Sequence, residues 1–321
     1  MNPFRKNLAI AIDGGGIKGL IVTQALAVLE EHLGKPLHEI ARLVVGTSTG
    51  SIIAAGIAAG YTAQELTHRY IEMGQSIFPN THRKFAFPLS RYRYPDEPLN
   101  KALVDHFGDL QMGDFWSTSP PTDLVITAYD LLENRTRFIK PWKEDYAGWP
   151  VVKAVQASCT VPTYFPIVEN RFIDGGVGSY GNPCYIAAFE AKECLKWDLE
   201  ETTLISIGTG RSPYSFNPAQ AARLWAWDWI GRIVDVFSQS ADDQQVHLVE
   251  TYFDGLDFRR FQVDLREHIE MDDIREMDRL VAYGSRLGRM ITRDRIDRAQ
   301  GIIVKKAPEP WIANTNSEIS P

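Results

Sequence analysis

The stretch "VVGTSTGSIIAAG" (Val44–Gly56) passes from apolar residues through a glycine-bracketed serine into a run of small and apolar residues. Within it, Gly46-Thr47-Ser48-Thr49-Gly50 is G-x-S-x-G, a short motif that acquires meaning between a strand and a helix. The flanks supply that setting. Leu43 to Val45 reads as a short strand, and Ser51 to Ala59 as an Ala- and Gly-rich helix able to pack very close to a sheet. Small residues on both sides of Ser48 then permit a sharp turn that lifts its hydroxyl out of the sheet, at the positive end of the next helix. A merely structural Ser48 would be an N-cap for that helix.

A second glycine-rich turn lies upstream in "AIAIDGGGIKGLIV" (Ala9–Val22). A serine attacking an ester carbonyl creates negative charge on the carbonyl oxygen, which backbone N–H donors stabilise when already in place. Gly14, Gly15 and Gly16 leave amides bare for that purpose, Lys18 and the start of the next helix add positive potential, and the Thr49 amide is a further candidate donor. Gly14, Gly16 and Gly19 also satisfy the dinucleotide fingerprint G-x-G-x-x-G. In that alternative the second strand should end in a ribose-binding acid. Here it ends in the serine turn, and Glu30 and Glu31 fall inside the first helix.

A nucleophilic serine needs a base. The order Ser48, Asp174, then His247 or His268 would mimic a hydrolase triad. However, His247 falls in an expected helix and His268 in an acidic segment, where both read as solvated. His32, His38, His68, His82 and His106 are scattered, without paired ligand spacing. In "RFIDGGVG" (Arg171–Gly178), by contrast, Asp174 directly follows a strand and precedes Gly175 and Gly176. A carboxylate on so tight a turn could accept the Ser48 proton itself, although an Asp-Gly pair is also an ordinary turn.

Around these motifs the chain alternates strands and helices, which implies parallel pairing in a doubly wound α/β domain. Strands are expected at Leu8 to Ile12, Leu124 to Tyr129, Thr136 to Ile139, a segment ending at Ile173, and "TLISIGTG" (Thr203–Gly210). Helices are expected at Leu20 to Leu33, Leu99 to Phe107, Val151 to Ser158 and Tyr185 to Leu195, and Thr62 with Glu65 forms a capping box for one more. Phe78 to Pro98 reads as a loop, a candidate lid. Its Phe85, Phe87, Tyr92 and Tyr94, mixed with Arg83, Lys84, Arg91 and Arg93, suit either a membrane interface or rings folded back on the core. Beyond Arg211 helices are expected at Ala219 to Val249 and Ile274 to Ala299, with a strand near Phe258 to Val263. Trp225, Trp227 and Trp229 suit packing better than lipid contact. The tail from Ala307 is expected to fray.

With 321 residues, 44% of them apolar, the chain can bury a large core. Its 41 acidic and 34 basic residues give a net charge of −7, which disfavours nucleic acid as a partner. Cys159, Cys184 and Cys194 show neither metal nor redox spacing and suit reduced thiols in the cytoplasm. No signal-peptide core is evident, and no apolar run is long enough to span a membrane.

Three motifs in order, DGGGIKG (Asp13–Gly19), GTSTG (Gly46–Gly50) and DGG (Asp174–Gly176), make the chain resemble the patatin-like phospholipases. "ASCTVPTYFP" (Ala157–Pro166), "GNP" (Gly181–Pro183) and "LISIGTG" (Leu204–Gly210) add to the likeness. The resemblance implies a three-layer α/β/α sandwich with a mostly parallel central sheet, residues 1–210 forming the catalytic core and 211–306 a mainly helical extension packed on it, with 307–321 as a flexible tail. It further implies a lipid acyl hydrolase with Ser48 as nucleophile, Asp174 as base, and Gly14, Gly15, Gly16, Lys18 and Thr49 around the oxyanion. Neither calcium nor another cofactor is implied. The substrate would be a membrane phospholipid or other acyl-ester lipid, met by peripheral contact. Some bacterial relatives are membrane-degrading effectors switched on by a nucleotide signal, so homo-oligomerisation and a nucleotide activator stay open.

Overall fold

Strand β1 (Asn7–Ile12) is buried along its whole length, as a strand must be when both faces of its sheet are covered. The computed structural model describes residues 3–79, 90–117, 121–213 and 223–294, without the side chains of 226–235. The other strands are β2 (Ala41–Thr47), β3 (Asp123–Asp130), β4 (Arg135–Ile139), β5 (Phe172–Asp174), β6 (Thr202–Ile207) and β7 (Asp257–Phe261). The helices are α1 (Gly19–Leu33), α2 (Thr49–Ala58), α3 (Ala63–Ile77), α4 (Glu97–Phe107), the short α5 (Glu144–Ala147), α6 (Val151–Cys159), α7 (Cys184–Phe189), α8 (Ala226–Tyr252) and α9 (Met277–Arg293).

The sheet runs β4-β3-β2-β1-β6-β7, with β5 also paired to β3. Pairing is parallel throughout β3-β2-β1-β6-β7, whereas β4 and β5 meet β3 antiparallel. Side chains alternate between two cores, as the period of a strand demands. Leu8, Ile10 and Ile12 join α1, α2, α3, α4, α6 and α9 on one face. Ala9 and Ala11 join Ile186 of α7 and Val249 of α8 on the other. The result is a three-layer α/β/α sandwich with a mostly parallel sheet.

The C-terminal part contributes to both sheet and helical layer. β7 extends the sheet beyond β6, and α9 lies along α1 with Gly284 and Gly288 at the contact. A Cβ at Gly288 would stand 2.6 Å from the Val28 Cβ, so the absent side chain is what permits the close approach. The capping box before α3 is present: the Thr62 N–H donates to Glu65 Oε2 at 2.8 Å, and the Glu65 N–H to Thr62 Oγ1 at 3.2 Å. The expected helix from Tyr185 to Leu195 differs in winding, because after α7 it continues as a π-helical turn, Glu190–Cys194.

Of the expected loop, His82, Arg83, Lys84, Phe85 and Phe87 lie outside the described residues, as does the tail from Ala307. In the described portion, Tyr94 is buried with its ring 5.2 Å from Phe78 and 6.0 Å from Phe165, and Arg93 stacks on Tyr164. Of its two described tyrosines, Tyr94 thus turns inward, while Tyr92 is half-buried. Trp225 is 78% exposed, while the side chains of Trp227 and Trp229 are not described. Among the described residues no helix is long and apolar enough to cross a membrane.

Candidate active site

The register of β3 explains how Ser48 and Asp174 meet. Thr47, the last residue of β2, pairs with Thr127, and Asp174, the last of β5, pairs with Ala128. β4 already occupies one edge of β3 from Ile126 to Asp130, so β5 continues the edge that β2 leaves. The ends of β2 and β5 therefore arrive at successive rungs, bringing the serine turn beside the aspartate. Gly175 follows against Thr127, where any Cβ would collide with the Thr127 hydroxyl.

Ser48 takes φ 54° and ψ −127°, a conformation costly for a residue with a side chain, and is 7% exposed. Neither Gly46 nor Gly50 has room for a Cβ: on Gly46 it would strike the Gly50 carbonyl, and on Gly50 the Ile12 carbonyl at the end of β1. Two neighbours from α6 hold the bend: the Ser48 N–H donates to Ser158 Oγ at 2.8 Å, and the Cys159 thiol donates to the Ser48 carbonyl at 3.1 Å. Directly after the serine, Thr49 is the first residue of α2, so its N–H has no partner within the helix.

Asp174 is 3% exposed. Its Oδ1 accepts the Gly176 N–H at 2.7 Å, and its Oδ2 has no hydrogen-bond partner among the described residues. Burial pushes the carboxyl up to about 6, against the opposing pull of the Ser48 hydroxyl and the Gly176 amide. The Ser48 hydroxyl thus favours the charged form of the carboxylate. A buried carboxylate that titrates near neutrality and has an oxygen to spare is equipped to take a proton.

The glycine loop has a division of labour. The Gly14 N–H donates to the Gly181 carbonyl at 2.9 Å, which removes Gly14 from the expected oxyanion donors, since its hydrogen is already used. The N–H groups of Gly15 and Gly16 have no such partner among the described residues. Gly14 itself stands against the nucleophile, its missing Cβ only 3.1 Å from the Ser48 Cβ. The loop is tied further by Ile17 N–H to Met271 O at 2.8 Å and by Tyr70 OH to Gly16 O at 2.6 Å. Lys18 ends the 3₁₀ turn Gly16–Lys18, half-buried, and Gly19 abuts Thr49 and Tyr70. Asp13 is anchored by Arg260 rather than exposed to the cavity.

Ser48 and Thr49 open onto a cavity of about 560 Å³, counted out to its mouth. Apart from the loop and the elbow it is lined largely by apolar side chains, among them Ile52, Met73, Ile77, Leu99 and Phe165. None of the described histidines lines it. His268 is half exposed beside Glu270, at 3.3 Å, and His247 faces solvent on α8. The dinucleotide alternative loses ground here, because the Ile17 amide and the open side of Gly16 are both covered by Met271. Among the described residues no group of His, Cys, Asp and Glu could hold a metal ion.

The site also depends on Ser158, Thr209, Arg260 and Met271, whose roles the sequence motifs do not reveal. Ser158 and Thr209 stood within quoted motifs, but nothing in the motifs says which hydroxyl meets which backbone atom. Arg260 was foreshadowed only by charge in an otherwise alternating strand.

A doubly wound α/β sandwich with a serine turn beside a buried aspartate defines a class of hydrolase-like architectures. The sequence model described as "Patatin-like phospholipase" matches residues 10–188, and the chain belongs to that family. It is 31% identical over 222 residues to "Intracellular phospholipase A2" of Caenorhabditis elegans, a match covering 64% of this chain and 19% of the worm protein. It is 26% identical over 284 residues to "cGAMP-activated phospholipase" of Pseudomonas aeruginosa, covering 84% and 82% of the two chains. The crystal structure of VipD from Legionella pneumophila is similar with a TM-score of 0.49 and 14% identity, over 92% of this chain and 67% of that one.

Proposed function

We propose that the protein is a serine lipid acyl hydrolase of phospholipase A type, with Ser48 as nucleophile and Asp174 as general base. Ser48 Oγ attacks the ester carbonyl while its proton passes to Asp174, most directly to Oδ2. The carbonyl oxygen becomes negative and is met by the N–H groups of Gly15, Gly16 and Thr49, with the α2 N-terminus and the Lys18 charge adding positive potential. Collapse of the tetrahedral intermediate breaks the C–O bond to the leaving alcohol, which takes the proton from Asp174. Water then attacks the acyl-serine, again giving its proton to Asp174, and fatty acid leaves with Ser48 restored.

The observation that carries this reading is the meeting of Ser48 and Asp174 on successive rungs of β3, with the serine facing a cavity lined largely by apolar side chains. Membrane phospholipid or another acyl-ester lipid fits that lining, taken from the surface of a bilayer by peripheral contact on the cytoplasmic side. The test is a fluorophosphonate followed by lipid profiling. One covalent adduct on the native protein, absent from Ser48→Ala, together with fatty acid release from membranes by the native protein alone, is expected. A folded protein that takes no label would overturn it.

A further inference from the structure

Thr209 lies just beyond β6 and is buried, and its hydroxyl donates to the Gly14 carbonyl at 2.7 Å. The Gly14 carbonyl and the Gly15 N–H belong to one planar trans peptide and therefore point in opposite directions. Whatever holds the carbonyl also sets the aim of the amide. Gly14 is held at its other end too, through its own N–H on the Gly181 carbonyl. Three glycines in a row have little torsional preference of their own, so without these two ties the peptide could rotate at small cost.

We propose that Thr209 is a positioning residue for the oxyanion site: by drawing the Gly14 carbonyl toward itself, it turns the Gly15 N–H toward the carbonyl oxygen of a substrate bound at Ser48. The inference rests on the Ser48 hydrolase reading. Packing agrees with it. A Cβ at Gly15 would fall 2.7 Å from the Thr209 Cβ, so the threonine presses directly on the peptide it orients. The next amide is set in the same manner, since the Gly15 carbonyl accepts the Lys18 N–H at 3.3 Å and leaves the Gly16 N–H facing the other way. That second tie is internal to the loop, whereas Thr209 follows the end of β6 and makes the aim of Gly15 depend on the sheet.

The experiment compares Thr209→Val, which keeps the shape and removes the donor, with Thr209→Ser, which keeps the donor. Steady-state hydrolysis of a soluble p-nitrophenyl ester and thermal unfolding are measured on each. A displaced oxyanion donor acts on the transition state, so T209V is expected to lower kcat about 10- to 100-fold with KM within about twofold, and T209S to stay within about threefold of the native protein. Unchanged kcat in T209V, a change confined to KM, or equal losses in T209S and T209V would overturn the proposal. Should T209V not fold, T209A replaces it; loss of fold in both would make Thr209 a stability residue and also overturn it. Fluorophosphonate labelling of the native protein separates the two levels: no label defeats the hydrolase reading, while label with an unaffected T209V defeats only this one.

Discussion

Arg260 on β7 reaches past β6 to grip both carboxylate oxygens of Asp13 at the end of β1, at 2.8 and 2.5 Å, while also donating to Ser206 Oγ at 2.8 Å. The pair is buried and lies directly behind the glycine loop, because Asp13 is the residue before Gly14. Burial pushes the Asp13 carboxyl up, and the guanidinium opposes that shift. Asp242 of α8 is close by, its carboxyl raised to about 7 by burial and by the Asp13 charge.

Removing Arg260 would leave these two carboxyls facing each other without a cation. Breaking one side of a buried pair costs about 3–5 kcal/mol. Arg260→Met is therefore expected to lower the unfolding free energy by that order in urea titration, and to reduce turnover as the loop loses its anchor. An Arg260→Met protein as stable as the native one would show that the pair is not what holds the loop's root.

Asp174→Asn tests the base and the electrostatics together. Asparagine can still accept the Gly176 N–H, so the turn should survive, while ester hydrolysis should fall by at least about a hundredfold for want of a proton acceptor. In the native protein, kcat/KM should rise with pH through about 6, as Asp174 loses its proton. Stability runs the other way. A carboxyl whose folded value exceeds its unfolded one, about 3.9, gives a contribution present below that value and lost as pH rises through about 6. Asp174→Asn should thus gain on the order of 1–3 kcal/mol relative to the native protein at pH 8 and little at pH 4. Equal stability of the two proteins at both pH values would contradict a strained carboxylate.

Much of this site was legible in the chain because its chemistry is carried by local motifs. A strand, a glycine-bracketed serine and a helix can make only a few shapes, and β2, Ser48 and α2 made the expected one. What could not be read were contacts set by register across the sheet. No local pattern says that Gly14 spends its N–H on Gly181, so Gly14 looked as available as Gly15 and Gly16. For the same reason, Arg260 and Met271, distant in sequence, gave no sign that they buttress the loop.

The histidines supply the sharpest contrast with a triad. His268 sits beside Glu270 at the surface and His247 faces solvent, so neither can reach the Ser48 proton in this fold. His247→Ala and His268→Ala are each expected to keep kcat within about twofold of the native value, since surface substitutions of this kind rarely exceed about 0.5 kcal/mol. A loss of a hundredfold in either would require a histidine base and a rearranged site.

The apolar cavity should govern acyl length. Met73 of α3 and Ile77 one turn later both line it, and both are almost fully buried. Met73→Trp would fill part of the space an extended chain needs, with an overpacking cost of about 1–3 kcal/mol in stability. Each methylene excluded forfeits about 0.8 kcal/mol of burial, so loss of three or four should lower kcat/KM for long-chain esters by about a hundredfold while sparing butyrate. Hydrolysis of a p-nitrophenyl ester series by the native and variant proteins measures this directly. If short and long esters fell together, the cavity would not be where the acyl chain lies, and its lining would be serving only the packing of α3 against the sheet.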